Sequence, residues 1–90
     1  MTYSVEKDGY KSTATITIEK DEVKDITVTN NYNTEEQTKS ACAKLSLTTK
    51  DLECNGKTIV VKNYQTTLTS TKKDKVIEHF ETNNYTCKNN

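Results

Sequence analysis

The sequence predicts an all-β fold, and three observations favour that class. Seventeen Thr residues suit strands because their β-branched side chains are stiff. Nine Asn residues suit turns, where a short amide side chain bonds to nearby backbone. Apolar and polar residues alternate over several segments, such as YKSTATITIE and DITVTNNY. With 90 residues, we expect either one small domain or two half-sized modules.

Residues 1–33 are predicted to form a three-stranded antiparallel meander. Asp8-Gly9 is a two-residue hairpin signal, and a charged turn near Glu22 would lead into the third strand. The apolar side chains would then share one face of the sheet, and that face needs a cover. Either the rest of the chain or a missing part of the domain supplies the cover, or two copies pair as a homodimer through the exposed face.

The positions of these two turns predict the strand register. The predicted opposite pairs are Tyr3 with Ala14, Val5 with Ser12, Ile18 with Ile26, and Ile16 with Val28. Asn30 would fall on the apolar face of the third strand, opposite Ala14.

Residues 34–40 contain no apolar side chain and are predicted to be a linker. A helix is the alternative for this segment. Thr34 and Gln37 fit a capping box, and apolar residues up to Leu45 could follow at helical spacing. The return to alternation at Leu45 and Leu47 favours the linker.

Residues 41–90 are predicted to form a second β-hairpin module, which packs on the first or stands beside it. Asn55-Gly56 is the strongest turn signal in the chain, and a hairpin centred there would place Leu52 opposite Ile59.

The segment DKVIEHFETNNYTCK near the end of the chain fits two structures. Val76, Ile77 and Phe80 lie at helical spacing, which favours a helix. The run TNNY at residues 82–85 repeats residues 29–32, which favours a second copy of the third strand. A Thr/Asn-rich composition would also produce this match by chance.

Two stretches of the sequence resemble a known family: YSVEKDGY and the later DITVTNNYN. An E-box of the form Y-x-L-x-E, then G-Y, then a last strand ending V-x-x-T-N-x-Y, is typical of the Cna B-type domain. The matching residues are Tyr3, Val5, Gly9, Tyr10, Val28, Thr29, Asn30 and Tyr32. Residues 3–33 therefore resemble the C-terminal strands of this SpaA-like pilin and adhesin stalk module of Gram-positive surface proteins. The resemblance implies a small Ig-like or partial β-sandwich.

The resemblance also implies a candidate covalent cross-link. In many members of the family a Lys and an Asn form a spontaneous amide bond with help from an acid. The corresponding candidates are Asn30 as the amide, Lys44 as the amine and Glu6 as the acid. The alternative is that Asn30 is an inward-facing polar residue that is hydrogen-bonded and inert.

The three cysteines allow at most one disulfide within the chain. We predict a bridge between Cys54 and Cys87, with Cys42 outside it. The side chains of the cysteines and of His79 are of the kinds that bind zinc, but their spacing contains no C-x-x-C pair, so we predict no metal and no cofactor.

The composition also argues against an enzyme. With one His and two Gly residues, few side chains could form a catalytic group, and the sequence predicts no catalytic residue and no enzyme.

Charge and hydropathy exclude several classes of partner. The net charge is zero and all basic residues are Lys, which argues against nucleic acid. No apolar run is long enough for a membrane span, and the chain shows no signal peptide.

We predict that the chain is a structural or adhesion segment of a secreted or cell-wall-anchored bacterial protein. Its predicted partner is a protein or a cell-surface ligand. The alternatives are a small free-standing binding or inhibitor protein, intracellular or phage-encoded, and a truncated reading frame without selected function.

Overall fold

A computed structural model describes the backbone of residues 1–88 and the side chains of residues 1–87. The strands are β1 (Thr2–Lys7), β2 (Tyr10–Glu19), β3 (Glu22–Tyr32), β4 (Leu52–Asn55), β5 (Thr58–Val61) and β6 (Thr86–Lys88). The helices are α1 (Glu35–Leu45) and α2 (Lys73–Thr82), and a 3-10 turn spans Tyr64–Thr67.

Within residues 1–88 the strands form one six-stranded sheet in the order β4-β5-β3-β2-β1-β6. Every pairing in it is antiparallel. The prediction of a mainly β structure is therefore confirmed. The predicted sandwich is not confirmed, because α1 and α2, rather than further strands, pack on the apolar face. These helices also cover the face on which the homodimer prediction depended.

The N-terminal meander forms as predicted, and its first hairpin has the predicted register. Tyr3 lies opposite Ala14. The second hairpin differs, because Ile16 lies opposite Ile26 rather than Val28. As a result Asn30 lies opposite Ser12, not opposite Ala14 as predicted.

The second turn of the meander causes this shift in register. The turn consists of Lys20 and Asp21, both in the left-handed region with φ of 51° and 64°. Such a two-residue turn is tight and matches the twist of its strands. An irregularity between Thr17 and Ile18 then shifts the pairing of the two strands.

Residues 34–40, predicted as a linker, instead hold the N-cap and first turns of α1. The Thr34 hydroxyl accepts a hydrogen bond from the Gln37 amide at 3.1 Å, and Gln37 Oε1 accepts one from the Thr34 amide at 3.2 Å. This capping box satisfies two backbone donors that the first turn leaves without helical partners. The helical alternative for this segment is confirmed.

The second hairpin extends the sheet of the first instead of forming a separate layer. Strand β5 pairs with β3, so that Val61 lies opposite Val28. Its turn residues are Gly56 and Lys57, one position later than predicted, and Leu52 therefore lies opposite Val61 rather than Ile59. At the other edge of the sheet, β6 pairs with β1.

Helix α2 resolves the ambiguity of the C-terminal segment. Val76 and Phe80, four residues apart, are each 1% exposed and pack against the sheet. The run TNNY ends this helix, and Asn84 adopts a left-handed φ of 68°. The earlier copy of TNNY lies inside β3, so the two copies have different structures.

Candidate functional site: a tyrosine-lined cleft

A cleft lies between α1 and the strands β2 and β3, and we call it the tyrosine cleft. Its larger part has a volume of about 700 Å³. A smaller part, of about 320 Å³, continues toward the 3-10 turn and shares Tyr10, Asn30 and Leu45 with the larger part. Its other aromatic lining residues are Tyr32, Tyr64 and Tyr85. The cleft thus collects four of the five tyrosines of the chain.

The floor of the cleft is polar because the inward-facing residues of β2 and β3 change from apolar to polar at one end of the strands. Ala14 and Val28 are apolar and buried. Ser12 lies two residues before Ala14, and Asn30 lies two residues after Val28. Both are on the same face of the sheet, and they lie opposite each other. Ser12 is 2% exposed. The period-two alternation therefore continues, but here α1 lies over polar groups.

Asn30 carries a buried acceptor atom. Its Nδ2 donates a hydrogen bond to the Tyr32 hydroxyl at 3.4 Å. Its Oδ1 is buried and has no hydrogen-bond partner among the described residues. Asn30 lines both parts of the cleft, and leaving a buried polar atom without a partner costs about 1–3 kcal/mol.

The tyrosines contribute both ring surfaces and hydroxyl groups. The Tyr10 and Tyr32 rings stack with their centroids 5.0 Å apart. The Tyr85 and Ser12 hydroxyls form a hydrogen bond of 2.7 Å. Burial is the main cause that raises the pKa of Tyr32 and of Tyr64, so both phenols stay neutral at physiological pH. The Tyr64 hydroxyl bonds to His79 Nε2 at 3.0 Å.

Charged side chains stand at the α1 side and the turn side of the cleft. Glu36 and Lys44 belong to α1, and Asp8 belongs to the turn between β1 and β2. In that turn Gly9 has φ of +90°, and a Cβ built on it would lie 3.0 Å from Gln37 Nε2. Gly9 therefore suits the left-handed backbone conformation, and a side chain there would also have to displace the tip of the Gln37 side chain.

A disulfide between Cys42 and Cys54 joins α1 to β4, with 6.3 Å between the two Cα atoms. The predicted bridge between Cys54 and Cys87 is therefore wrong. Cys54 lies in the edge strand β4 and Cys87 in the opposite edge strand β6. Five strand spacings of about 4.8 Å separate those edges, roughly 24 Å, which no disulfide spans. Cys87 instead lies opposite Tyr3.

The structure brings together part of the predicted cross-link set. Asn30 and Lys44 both line the tyrosine cleft. Glu6 does not, because it is exposed and lies opposite Lys11 on the other face of the sheet. The carboxylate that lines the same part of the cleft is Glu36.

Within the described part of the chain, no group of three or more His, Cys, Asp or Glu side chains could hold a metal ion. Residues 1–88 also include no helix that is long and apolar enough to cross a membrane.

The sequence patterns did not group the four tyrosines of the cleft. The one available signal was the inward position of Asn30, which the alternation of β3 predicts. The cleft itself depends on where α1 and Tyr85 lie, and local patterns do not encode that. No family model, curated protein or solved structure matches this chain. The Cna B-type resemblance therefore stays a prediction.

Proposed function

We propose that this chain is a non-enzymatic binding domain of a secreted or cell-surface protein, and that the tyrosine cleft holds its ligand. The observation that carries the proposal is Asn30, which lines the cleft and whose buried Oδ1 has no partner among the described residues. A bound ligand that donates a hydrogen bond would satisfy it. The volume of about 700 Å³ lies within the usual range of small-molecule sites.

The composition of the cleft supports binding over catalysis. Its lining is rich in phenols, hydroxyls and amides, which fix and orient a ligand. The single His of the chain bonds to Tyr64 and belongs to α2. An enzyme that uses His as a general base would place it beside a nucleophile, whereas here His79 is bonded to a phenol.

The disulfide between Cys42 and Cys54 suits an oxidising compartment, which supports a location outside the cell.

Amide-detected NMR with a library of small uncharged alcohols and amides tests this proposal. We expect shift changes that cluster at the tyrosine cleft. The variant Asn30→Leu should reduce binding because it removes the acceptor with little change in volume. Asn31→Leu is the matched control, because Asn31 is exposed on the opposite face of β3. Shifts that cluster elsewhere, or equal binding by both variants, would refute the proposal.

A second candidate function is a covalently cross-linked adhesion segment of a cell-wall protein. The common location of Asn30 and Lys44 favours it, and it would retain the predicted Ig-like relationship. An amide bond between them would release ammonia and lower the intact mass by about 17 Da. Mass spectrometry of the denatured chain, with Lys44→Arg as control, decides this candidate. A full-length mass without that loss removes it.

A further inference from the structure

We infer that the tyrosine cleft binds an uncharged sugar ring, as part of a glycan. This inference rests on the proposed function and adds the chemical class of the ligand. Three properties of the cleft carry it: an acceptor that needs a donor, a pair of flat aromatic rings, and a smaller part whose polar groups are uncharged.

The first property is the donor requirement of Asn30. Its Oδ1 is buried, while its Nδ2 is already directed at the Tyr32 hydroxyl. A ligand that offers only acceptors, such as a carboxylate or a phosphate, would leave Oδ1 without a donor and repel it. A sugar hydroxyl donates to Oδ1 and can accept from another group at the same time.

The second property is the stacked pair of Tyr10 and Tyr32, with centroids 5.0 Å apart. Leu45 lines the same cleft from α1. A sugar ring presents a flat patch of C–H groups on one face and hydroxyls around its edge. Flat apolar surfaces beside a few fixed polar groups are the complement of that shape.

The third property is the type of polar group in the smaller part of the cleft. Its lining includes hydroxyls from Ser12, Thr48, Thr49 and Thr67, and no Asp, Glu or Lys among the residues described there. Hydroxyls both donate and accept, so they suit partners of the same kind. The larger part of the cleft has charged side chains of both signs, Asp8, Glu36 and Lys44, so it does not form a strongly positive or strongly negative surface.

Titration with methyl glycosides of glucose, galactose, mannose and N-acetylglucosamine tests this inference on the full oxidised chain. Acetylated tripeptide amides without charged side chains form the second arm, because a peptide also donates hydrogen bonds. Amide-detected NMR locates each ligand, and calorimetry gives each dissociation constant. We expect at least one glycoside to bind in the cleft and the tripeptides not to bind there.

The variants separate the contributions to binding. Asn30→Leu should weaken glycoside binding by about tenfold, because a ligand hydroxyl loses its buried acceptor. Asn31→Leu should leave the affinity within about twofold. Should Asn30→Leu fail to fold, Tyr10→Leu provides the second variant, because it removes one ring of the stacked pair. Equal affinity of these variants and the parent chain would overturn the inference.

The two arms also distinguish this inference from the proposed function. Tripeptides that bind in the cleft while every glycoside fails would overturn the sugar inference and leave a binding domain. Failure of both arms, together with no shifts from the alcohol and amide library, would overturn both proposals.

Discussion

Helices α1 and α2 lie on the same face of one sheet, but different forces hold them there. Helix α2 buries Val76 and Phe80, and Phe80 stacks on Tyr3 with ring centroids 5.8 Å apart. In α1 the described buried residue is Thr38, a polar side chain. Its apolar residues are only partly buried against the core, and a capping box and the disulfide to β4 also hold α1.

This difference explains how a cleft can form under α1. Close packing under α2 brings aromatic rings together. Under α1 the strands present Ser12 and Asn30, and the covalent link through Cys42 adds to a partial apolar contact. A helix held in this way can stand over a polar floor, which is the arrangement that a ligand site needs.

The largest expected effect is on the α2 side. Phe80→Ala should lower the free energy of unfolding by about 3–5 kcal/mol, because it removes a fully buried ring and leaves a cavity. Chemical denaturation measures this change. Leu47→Ala is the control, since Leu47 is 84% exposed and its loss should change stability by less than about 0.5 kcal/mol. Similar losses in both variants would refute the packing of α2.

Removal of the disulfide should come next. The double variant Cys42→Ser with Cys54→Ser should lose about 3 kcal/mol, because the unfolded chain regains the entropy of an open loop of about a dozen residues. Thermal melting of the variant and of the reduced parent chain should agree. Cys87→Ser, which leaves the disulfide intact, is the control. A double variant as stable as the parent would contradict the role assigned to the bond.

Loss of the N-cap should have a smaller effect on α1. Thr34→Ala removes the hydroxyl that accepts from the Gln37 amide and should cost about 1 kcal/mol. Thr34→Ser keeps a hydroxyl at the same position and should retain most of the stability. Denaturation curves that fail to separate Ala from Ser would show that the capping box does not support α1.

The smallest effect concerns the ion pair between Lys72, just before α2, and Glu22, at the start of β3. The Lys72 Nζ lies 2.7 Å from the Glu22 Oε1. The hydrogen bond from Lys72 is the main cause that lowers the pKa of Glu22, and the Thr71 hydroxyl adds to it. A pKa lower in the folded than in the unfolded chain gives stability that is present above about pH 4.5. That stability is lost as the pH falls through the folded value.

Melting temperatures between pH 6 and pH 3 test this pair. The parent chain should lose more stability on acidification than Glu22→Gln, which has no carboxylate to protonate at this position. Parallel curves for the two proteins would contradict the assignment.

The sequence predicted the features that depend on neighbouring residues. The alternation in β1 to β3 and the Asp8-Gly9 turn gave the meander, the first register and the inward position of Asn30. The second register was wrong because Lys20 and Asp21 adopt left-handed conformations, which no Gly signals. The two TNNY runs show the same limit, since one continues an alternating strand and the other ends a helix.

The features that depend on distant residues were not predictable in this way. The order of strands across the sheet places β4 and β6 at opposite edges, which excludes the predicted bridge, and the position of α1 brings Cys42 to Cys54. The tyrosine cleft follows from the contact of Tyr85 with Ser12, 73 positions apart. Neither relation leaves a periodic signal in the chain.

Residue-resolved amide hydrogen exchange, with and without reductant, tests most directly whether a covalent bond holds α1 and packing holds α2. On reduction of the Cys42–Cys54 bond, we predict faster exchange in α1 and β4, while α2 and β2 keep their protection. Unchanged protection of α1, or an equal loss of protection in both helices, would contradict the account.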